Sequence, residues 1–287
     1  MTGMLNALTF DLEEYFQVEA FKAVVGFADW DGFPSRVTLQ THRLLDLLES
    51  RNVTGTFFVV GWVAERQSAL LRHIHERGHE VACHGQAHEM ISAMTPDEVR
   101  ADVRRAKQTI EDAIGAPIFG YRAPTFSVVR ETLWALDILA DEGFTYDSSI
   151  FPIHHNRYGI PDAYRFPHEI PLTGGGSIVE FPMTTVAFAG QRLPFTGGGY
   201  FRLLPYAAIR AALRRLNAHE KQPAIFYIHP WEIDPDQPRL SVSGLDRFRH
   251  YVNLRHTAGK LARLLDDFSF GPVRDVLGAY DLAVVPR

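Results

Sequence analysis

The chain has 287 residues, of which 46% are hydrophobic, so it is long enough to bury one large core. Its formal net charge is -5, and lysine and arginine are scattered along the sequence, which argues against a nucleic-acid partner. Cys83 is the single cysteine, which excludes an intramolecular disulfide.

Strand-like and helical patterns alternate along the chain. In chain order, they predict a strand at 7–10, a helix at 37–50, strands at 56–60 and 79–83, helices at 96–114, 131–142 and 205–219, a strand at 224–229 and a helix at 257–268. Such alternation is typical of parallel βα units. We find no internal repeat and no linker, and therefore predict one α/β domain over residues 1–287.

Two features refine this pattern. Thr95 and Glu98 form a capping box around Pro96, and Gly115 marks the end of the same helix. Glycine runs at 174–176 and 197–199 interrupt the alternation. The segment between them, 178–188, is predicted to be extended or a hairpin.

Two carboxylates follow the first predicted strand. Because side chains alternate across a strand, Asp11 and Glu13 should project to one side, and Leu12 and Glu14 to the other. In parallel sheets and barrels, the carboxyl ends of the strands form the functional face. A charged loop is the alternative interpretation.

Two histidines follow the strand predicted at 79–83. His84 and His88 are four residues apart, one turn if this segment is helical, so both imidazoles can reach the same ion. Two neutral imidazoles and one carboxylate leave positions open for water, as in a catalytic divalent site. Asp11 would then be free to act as a base.

Two further candidates lie towards the other end of the chain. Arg122 in GYRAP has an ordinary interpretation as a surface guanidinium. His229 could be a turn histidine before proline, but it ends an apolar run at 224–228 that predicts a buried strand. We therefore expect His229 at the same edge as Asp11 and His84.

Seven segments spread over nearly the whole chain have a recognisable character. They are FDLEEYFQVEAF, TFFVVGWVAER, GHEVACHGQAHE, GYRAPTFS, FTYDSSIFP, TGGGYFRLLP and FYIHPWEIDPDQPR. In this order, they resemble the polysaccharide deacetylases of carbohydrate esterase family four, and more closely the exosortase-associated (PEP-CTERM locus) branch. The resemblance implies a distorted (β/α) barrel with about seven strands and a family-specific C-terminal part at about 232–287.

The resemblance also implies roles for single residues. It makes Asp11 the catalytic base, oriented by Arg122, and His229 the general acid. It makes His84 and His88 ligands of one divalent metal ion. Zinc suits these ligands best, and cobalt, nickel, manganese or iron are also compatible.

The sequence departs from the family pattern at two motifs. Many members have two adjacent aspartates at the first motif, and Leu12 stands here in the second position. Alternation favours Glu13 as the metal ligand, although a bulge would present Glu14 instead. In YDSS, the aspartate-tryptophan pair that supports the catalytic histidine in many members is absent. Asp147 either takes that role or caps a turn.

The implied function is metal-dependent hydrolysis of the linear amide bond in N-acetylhexosamine units of a polysaccharide or oligosaccharide. The backbone N–H of Thr125 would help stabilise the oxyanion. The aromatic residues near these motifs have two interpretations: they form apolar walls for sugar rings, or they belong to the ordinary core. These residues are Tyr15, Phe16, Phe126 and Trp231. The alternatives are a hydrolase of small amides or cyclic ureides on the same barrel, and a catalytically silent carbohydrate-binding protein.

The expected partners follow from the same interpretation. They are an N-acetylated polysaccharide substrate and an exopolysaccharide synthesis system. The sequence lacks a run of about 20 apolar residues, as a transmembrane helix would need, and its start lacks the pattern of a secretory signal. We therefore predict a cytoplasmic protein and leave peripheral membrane association open.

Overall fold

The longest strand forms at Asn6–Leu12, where all seven residues are buried. A computed structural model describes residues 3–155, 157–242 and 244–287. The strands are β1 (Asn6–Leu12), β2 (Thr56–Val59), β3 (Glu80–Cys83), β4 (Gly120–Tyr121), β5 (Tyr146–Asp147), β6 (His168–Pro171), β7 (Ser177–Glu180), β8 (Thr185–Phe188), β9 (Gln191–Pro194), β10 (Ile225–Ile228), β11 (Phe270–Gly271) and β12 (Ala283–Val284).

Helices separate most of these strands. They are α1 (Val37–Glu49), α2 (Gly61–Arg66), α3 (Ser68–Glu76), α4 (Pro96–Ile114), α5 (Ala135–Asp141), α6 (Gly198–Leu203), α7 (Tyr206–Arg214), α8 (Gly244–Tyr251), α9 (Leu254–Asp267) and α10 (Val273–Gly278). Short 3₁₀ turns lie at Glu19–Phe21, Phe27–Gly32, Ile91–Ala93, Pro124–Phe126, Arg130–Thr132 and Pro230–Ile233, and a π-helical turn lies at Arg215–Glu220. In the described ranges, no helix is both long and apolar enough to span a membrane.

The central sheet is mostly parallel. Its parallel strands run in the order β10-β1-β2-β3-β4-β5-β7, followed by antiparallel β6 and then β12, while β11 also pairs with β1. The predicted single-domain α/β fold is confirmed, and the mostly parallel sheet is consistent with the predicted distorted barrel of about seven strands. Within the described part of the chain, the strand order ends at β10 and β12 without closing.

The two faces of β1 contact different cores. Leu8, Phe10 and Leu12 belong to the large cluster that includes apolar residues of the surrounding helices. Ala7 belongs to a second cluster with Phe58 of β2. Period-two alternation therefore directs Asp11 towards the face of Ala7 and away from the helices.

The strand ends are aligned across the sheet. Leu12 pairs with Val59, Val59 with Cys83, Cys83 with Tyr121 and Tyr121 with Asp147. The next residue along the chain from several of these strands is polar. Because the strands are parallel, their carboxyl ends bring those polar side chains to one edge.

Most predicted elements agree with the structure. The helix predicted at 96–114 has the bounds of α4, with Glu98 N–H donated to Thr95 and Gly115 at φ +70°. The predicted helix at 131–142 is instead a 3₁₀ turn followed by α5, and the one at 205–219 passes from α7 into the π-helical turn.

The glycine-rich region differs in detail from the prediction. Residues 178–188 are largely extended, but β7 pairs with β6 and β8 with β9, so they belong to two hairpins. The second glycine run does not simply interrupt the pattern, because α6 begins within it. Helices α2, α3, α6, α8 and α10 were not predicted.

Candidate metal centre and active site

Glu13, His84 and His88 converge at the carboxyl edge of the sheet. Glu13 follows β1 and His84 follows β3, so parallel pairing brings both to this edge. One potential ligand atom from each of the three residues lies within 4.8 Å of those of the other two. All three side chains are buried. This arrangement can hold a divalent ion.

The segment from His84 to His88 is a turn and not a helix. Gly85 has φ +71°, a conformation that glycine adopts without strain, and His88 has φ +52°. Asp102 of α4 accepts the backbone N–H of Gln86 at 2.9 Å and fixes the turn. The four-residue spacing therefore brings the imidazoles together through this loop, with ring centroids 5.2 Å apart.

His84 is held in one orientation by the backbone. Its Nδ1 lies 2.8 Å from the carbonyl oxygen of Arg122, so Nδ1–H donates and Nε2 keeps its lone pair. Burial lowers the pKa of His84 to about 4. The ring is therefore neutral at pH 7, as a metal ligand must be.

Glu13 is stabilised as a carboxylate. Burial alone would raise its pKa, but the nearby charges of His88 and His229 lower it below the usual range. Its Oε2 lies 2.6 Å from His88 Nε2, and Trp231 Nε1–H donates to its Oε1 at 3.1 Å. Glu13 therefore offers a negative charge to a cation at this position.

The donor set fits a divalent metal ion. His88 Nδ1 is buried without a hydrogen-bond partner among the described residues, and Glu13 Oε2 contacts only the ring of His88. Leaving a buried polar group such as His88 Nδ1 unsatisfied costs about 1–3 kcal/mol. A cation held by Glu13, His84 and His88 would compensate the buried carboxylate, and two nitrogens with one oxygen suit zinc and similar metals.

Glu14 points to a different place. Its carboxylate accepts the backbone N–H groups of Arg36 and Val37 at the start of α1, and Ser35 Oγ donates to it. Burial raises the pKa of Glu14. The bulge that would have presented Glu14 to the cation is absent from the described strand end, because β1 stays regular to Leu12.

Arg122 is a buried ion-pair partner of Asp11. Its Nη1 donates to Asp11 Oδ1 at 2.6 Å and to Thr9 Oγ1 at 2.8 Å, and its Nε donates to the carbonyl of Ser148. The guanidinium lies 4.1 Å from the ring centroid of Phe58. The interpretation of Arg122 as a surface residue is therefore wrong, since it has no exposed area.

His229 lies opposite these carboxylates. Its Nε2 is 3.8 Å from Asp11 Oδ2 and 3.5 Å from Glu13 Oε1. Burial would lower the pKa of His229, but the charges of Glu13 and Glu232 raise it to about 9. The imidazole is therefore protonated at neutral pH and can donate a proton.

The carboxylate that contacts His229 Nδ1 is Glu232, at 2.8 Å. Glu232 also accepts the His229 backbone N–H and the Nε–H of buried Arg202, and its pKa is lowered to about 2 despite burial. Sequence reasoning missed Glu232. The sequence feature that could have identified Glu232 is its position three residues after His229 in HPWE, because a capping box has this spacing.

Asp147 is not brought to His229, so its proposed support of that histidine requires correction. It lies at the end of β5, and its Oδ1 accepts from Ser149 Oγ. Burial raises the pKa of Asp147 to about 6. This position agrees better with its alternative role in a local turn.

The four aromatic residues suggested near the site are all buried. Tyr15 and Phe16 are buried in the main core. Phe126 and Trp231 are also buried, and the Trp231 ring stacks on His229 at 4.9 Å. Thr125 and Phe126 both have positive φ, 56° and 53°, which marks a strained turn after Arg122.

Residues 24–146 match the sequence profile of the family described as polysaccharide deacetylase. Residues 148–278 match a second profile, described as a domain of unknown function. The two matches meet after β5, yet strands from both halves form the same sheet. Both halves therefore build the edge at which the candidate site lies.

Curated relatives include a peptidoglycan deacetylase from Helicobacter pylori, 32% identical over 40% of this chain and 38% of that protein. A chitooligosaccharide deacetylase from Bradyrhizobium sp. is 32% identical over 35% of this chain and 43% of that protein. The chain thus matches less than half the length of these relatives.

A crystal structure of a candidate polysaccharide deacetylase from Mycobacterium smegmatis covers 100% of this chain and 95% of that one. Its TM-score is 0.64 at 22% sequence identity, which supports the fold. The profile match and the curated relatives make this chain similar to polysaccharide deacetylases.

Replacing the two adjacent glutamates tests the donor set. Glu13→Ala should reduce bound zinc well below the wild-type content because it removes the anionic donor. Glu14→Ala should leave the zinc content unchanged and destabilise the fold by about 1–2 kcal/mol, because the start of α1 loses its acceptor. Elemental analysis and urea unfolding measure the two effects. Equal metal loss in both variants would contradict the assignment.

Proposed function

We propose that this relative of the polysaccharide deacetylases is a metal-dependent N-deacetylase of polysaccharides or oligosaccharides containing N-acetylhexosamine. The observation that carries the proposal is the convergence of two sets of groups at one sheet edge. Glu13, His84 and His88 form the candidate metal centre. Asp11 and His229 lie on its border, with 3.8 Å between Asp11 Oδ2 and His229 Nε2.

Hydrolysis of an acetamide needs help at both ends of the bond. The carbonyl resists attack by neutral water, and the amine leaves poorly unless it is protonated. A divalent ion bound by Glu13, His84 and His88 supplies Lewis-acid polarisation of the acetyl oxygen and lowers the pKa of water. We propose zinc, because it suits imidazole and carboxylate ligands.

Asp11 is the proposed general base. Arg122 holds its Oδ1 and so aims the carboxylate, while Oδ2 is directed towards His229. A carboxylate in this position can accept a proton from the attacking water. The Arg122 side chain has no exposed area, so the pair cannot separate into solvent and the base stays oriented.

His229 is the proposed general acid. Its raised pKa keeps Nε2 protonated at neutral pH, ready for transfer to the departing sugar nitrogen. Glu232 holds the opposite nitrogen, Nδ1, and therefore fixes which face of the ring reaches the substrate. The backbone N–H of Thr125 is proposed to assist at the oxyanion, on the strained turn that follows Arg122.

Two alternative functions are compatible with the same fold but differ from the proposed one in the reaction that they predict. A hydrolase of small amides or cyclic ureides could use the same centre, but the similarity to peptidoglycan and chitooligosaccharide deacetylases favours a saccharide substrate instead. A silent carbohydrate-binding protein would need neither Asp11 nor His229, and both are present in the site. Acetate release from N-acetylglucosamine oligomers separates these possibilities.

The partner system of the enzyme and its location in the cell are also proposals. We propose that the enzyme acts with an exopolysaccharide synthesis system, as the motifs of the exosortase-associated branch indicate, including the C-terminal part at about 232–287. We also propose that it works in the cytoplasm, with peripheral membrane association as the alternative. The first of these two proposals depends on the resemblance of the sequence to that branch.

Asp11→Asn tests the proposed base. The amide keeps the size of the side chain but cannot accept the proton at neutral pH. We expect acetate release from N-acetylglucosamine oligomers to fall about 100-fold or more while bound zinc is retained.

Folding must be measured alongside activity in this variant. Loss of the carboxylate leaves buried Arg122 without its counter-charge, so the melting temperature should also fall. Circular dichroism at the assay temperature shows whether the protein is folded. A folded, zinc-loaded Asp11→Asn enzyme with near wild-type turnover would remove Asp11 from the mechanism.

The pH dependence of turnover tests the proposed acid. The charges of Glu13 and Glu232 raise the pKa of His229, so its proton is present at neutral pH and is lost as the pH rises through that raised pKa. Activity should fall on this alkaline side. Glu232→Gln removes the stabilising anion and should move the alkaline decline lower by about one pH unit or more.

Glu220→Gln is the control for this shift, because Glu220 pairs with Arg165 in an ion pair outside the candidate site. It should leave the profile unchanged. If the alkaline decline in the turnover of folded Glu232→Gln occurs at the same pH as in the wild type, the Glu232 carboxylate does not set the pKa of His229.

A further inference from the structure

Two buried carboxyl groups lie side by side on neighbouring strands. Asp147 ends β5 and Glu180 ends β7, and the parallel pairing of these strands places the two residues in register. Residues in register on adjacent strands project their side chains to the same face of the sheet. Neither residue has any exposed area. The two acids therefore share one enclosed position.

The side chains in register with this pair on the next strands are neutral. Tyr121 of β4 is in register with Asp147, and His168 of β6 with Glu180. Burial raises the pKa of Tyr121 and lowers that of His168, so neither ring carries a charge at pH 7. Neither of them compensates a second negative charge on the pair.

The remaining neighbours also leave the pair without a counter-ion. Helix α5 packs against β7 and buries only apolar side chains there, and its Asp137 and Asp141 are paired with arginines. Arg122 is close enough to favour one charge on the pair, but its own ion pair is with Asp11. In the part of the chain that the structure describes, two charges at this position would be uncompensated, which is strongly unfavourable.

The hydrogen bonds of the two acids are complete on one oxygen each. Ser149 Oγ donates to Asp147 Oδ1 at 2.5 Å, and the Ile150 N–H donates to Glu180 Oε1 at 3.0 Å. Asp147 Oδ2 and Glu180 Oε2 are buried and find no donor in the described ranges, although the two side chains are within hydrogen-bonding reach of each other. Two carboxylate oxygens can only accept, so a proton on one of them completes the bond. Burial and the adjacent Asp147 raise the pKa of Glu180 well above its usual range, in agreement with this arrangement.

The pair lies directly behind the anchor of Arg122. Ser148 follows Asp147, and its carbonyl oxygen and Oγ accept from Arg122 Nε and Nη2, each at 3.1 Å. Ser148 Oγ in turn donates to the carbonyl of Phe181, the residue after Glu180, at 2.9 Å. A bond between the two acids therefore joins the strand ends that hold the guanidinium.

We propose that Asp147 and Glu180 share one proton, and that this acid–carboxylate pair positions the Ser148 anchor of Arg122 and, through it, Asp11. The two acids are positioning residues, since neither reaches the candidate metal centre. The positioning role rests on the proposed function, whereas the shared proton is a property of the folded chain alone.

Glu180→Gln tests the shared proton. The amide donates to the Asp147 carboxylate without taking up a proton. In the wild type, folding retains a proton that the unfolded acids release above their usual pKa of about 4. Stability is therefore highest at low pH and falls as the pH rises. From pH 6 to 7, the unfolding constant from equilibrium urea unfolding should rise about tenfold more in the wild type than in Glu180→Gln, the effect of one proton.

Glu169→Gln is the matched control, because Glu169 lies on adjacent β6, is partly exposed and accepts from Ser177 Oγ. It should keep the pH dependence of the wild type. Asp147→Asn is the second test variant and should behave as Glu180→Gln does. An unchanged pH dependence in the folded amide variants would overturn the shared proton. So would loss of folding in both, because each amide reproduces the protonated form of the acid that it replaces.

Glu180→Leu tests the positioning role, with Asp147→Ala as a second variant. Both remove the bond between the acids. In folded, zinc-loaded protein, kcat on N-acetylglucosamine oligomers should fall about tenfold or more with KM nearly unchanged, because the base is misplaced while binding is not. Glu180→Gln should restore most of the turnover. Full turnover in either folded variant, or failure of both to fold, would overturn the positioning role.

The two measurements separate this inference from the proposed function. If the wild type releases acetate but the pH dependence of unfolding is the same in wild type and Glu180→Gln, the shared proton is wrong and the deacetylase proposal stands. If the wild type releases no acetate but Glu180→Gln flattens the pH dependence, the shared proton stands, and the deacetylase proposal and the positioning role fail.

Discussion

The buried ion pair between Arg122 and Asp11 is the constraint on which the site depends. A guanidinium with no exposed area is stable only if a carboxylate and further acceptors surround it. Its donors reach Thr9 and Asp11 on β1 and Ser148 after β5, while its own carbonyl accepts from His84. One residue thus orients both the proposed base and a proposed metal ligand.

A second buried ion pair, in the C-terminal half of the chain, also orients residues of the site. Arg202 and Glu232 lie 2.6 Å apart, and Glu232 holds His229 at the opposite side of the site. Trp231 continues this support, since it stacks between His229 and His250 and donates to Glu13. The proposed acid and the carboxylate of the metal centre are therefore positioned by the same short segment.

The features of the fold and of the site that depend only on neighbouring residues could be predicted from the sequence. Apolar runs located the main strands, and period-two alternation gave the common side of Asp11 and Glu13, because both signals depend only on neighbouring residues. The turn from His84 to His88 could not be predicted, since it depends on a tertiary contact with Asp102 of α4. Nor could the choice of Glu232 over Asp147, because both carboxylates lie at or near strand ends and only tertiary packing separates them.

Reversible removal of the metal tests the central claim most directly. The wild-type protein is chelated, its zinc content and circular dichroism are measured, and acetate release from N-acetylglucosamine oligomers is followed before and after zinc is restored. The candidate ligands Glu13, His84 and His88 lie at the edge of the sheet, outside the main hydrophobic core. We therefore predict a folded but inactive protein whose activity returns with about one zinc per chain. Full acetate release by the folded, metal-free protein would contradict the proposal that Glu13, His84 and His88 hold a catalytic metal.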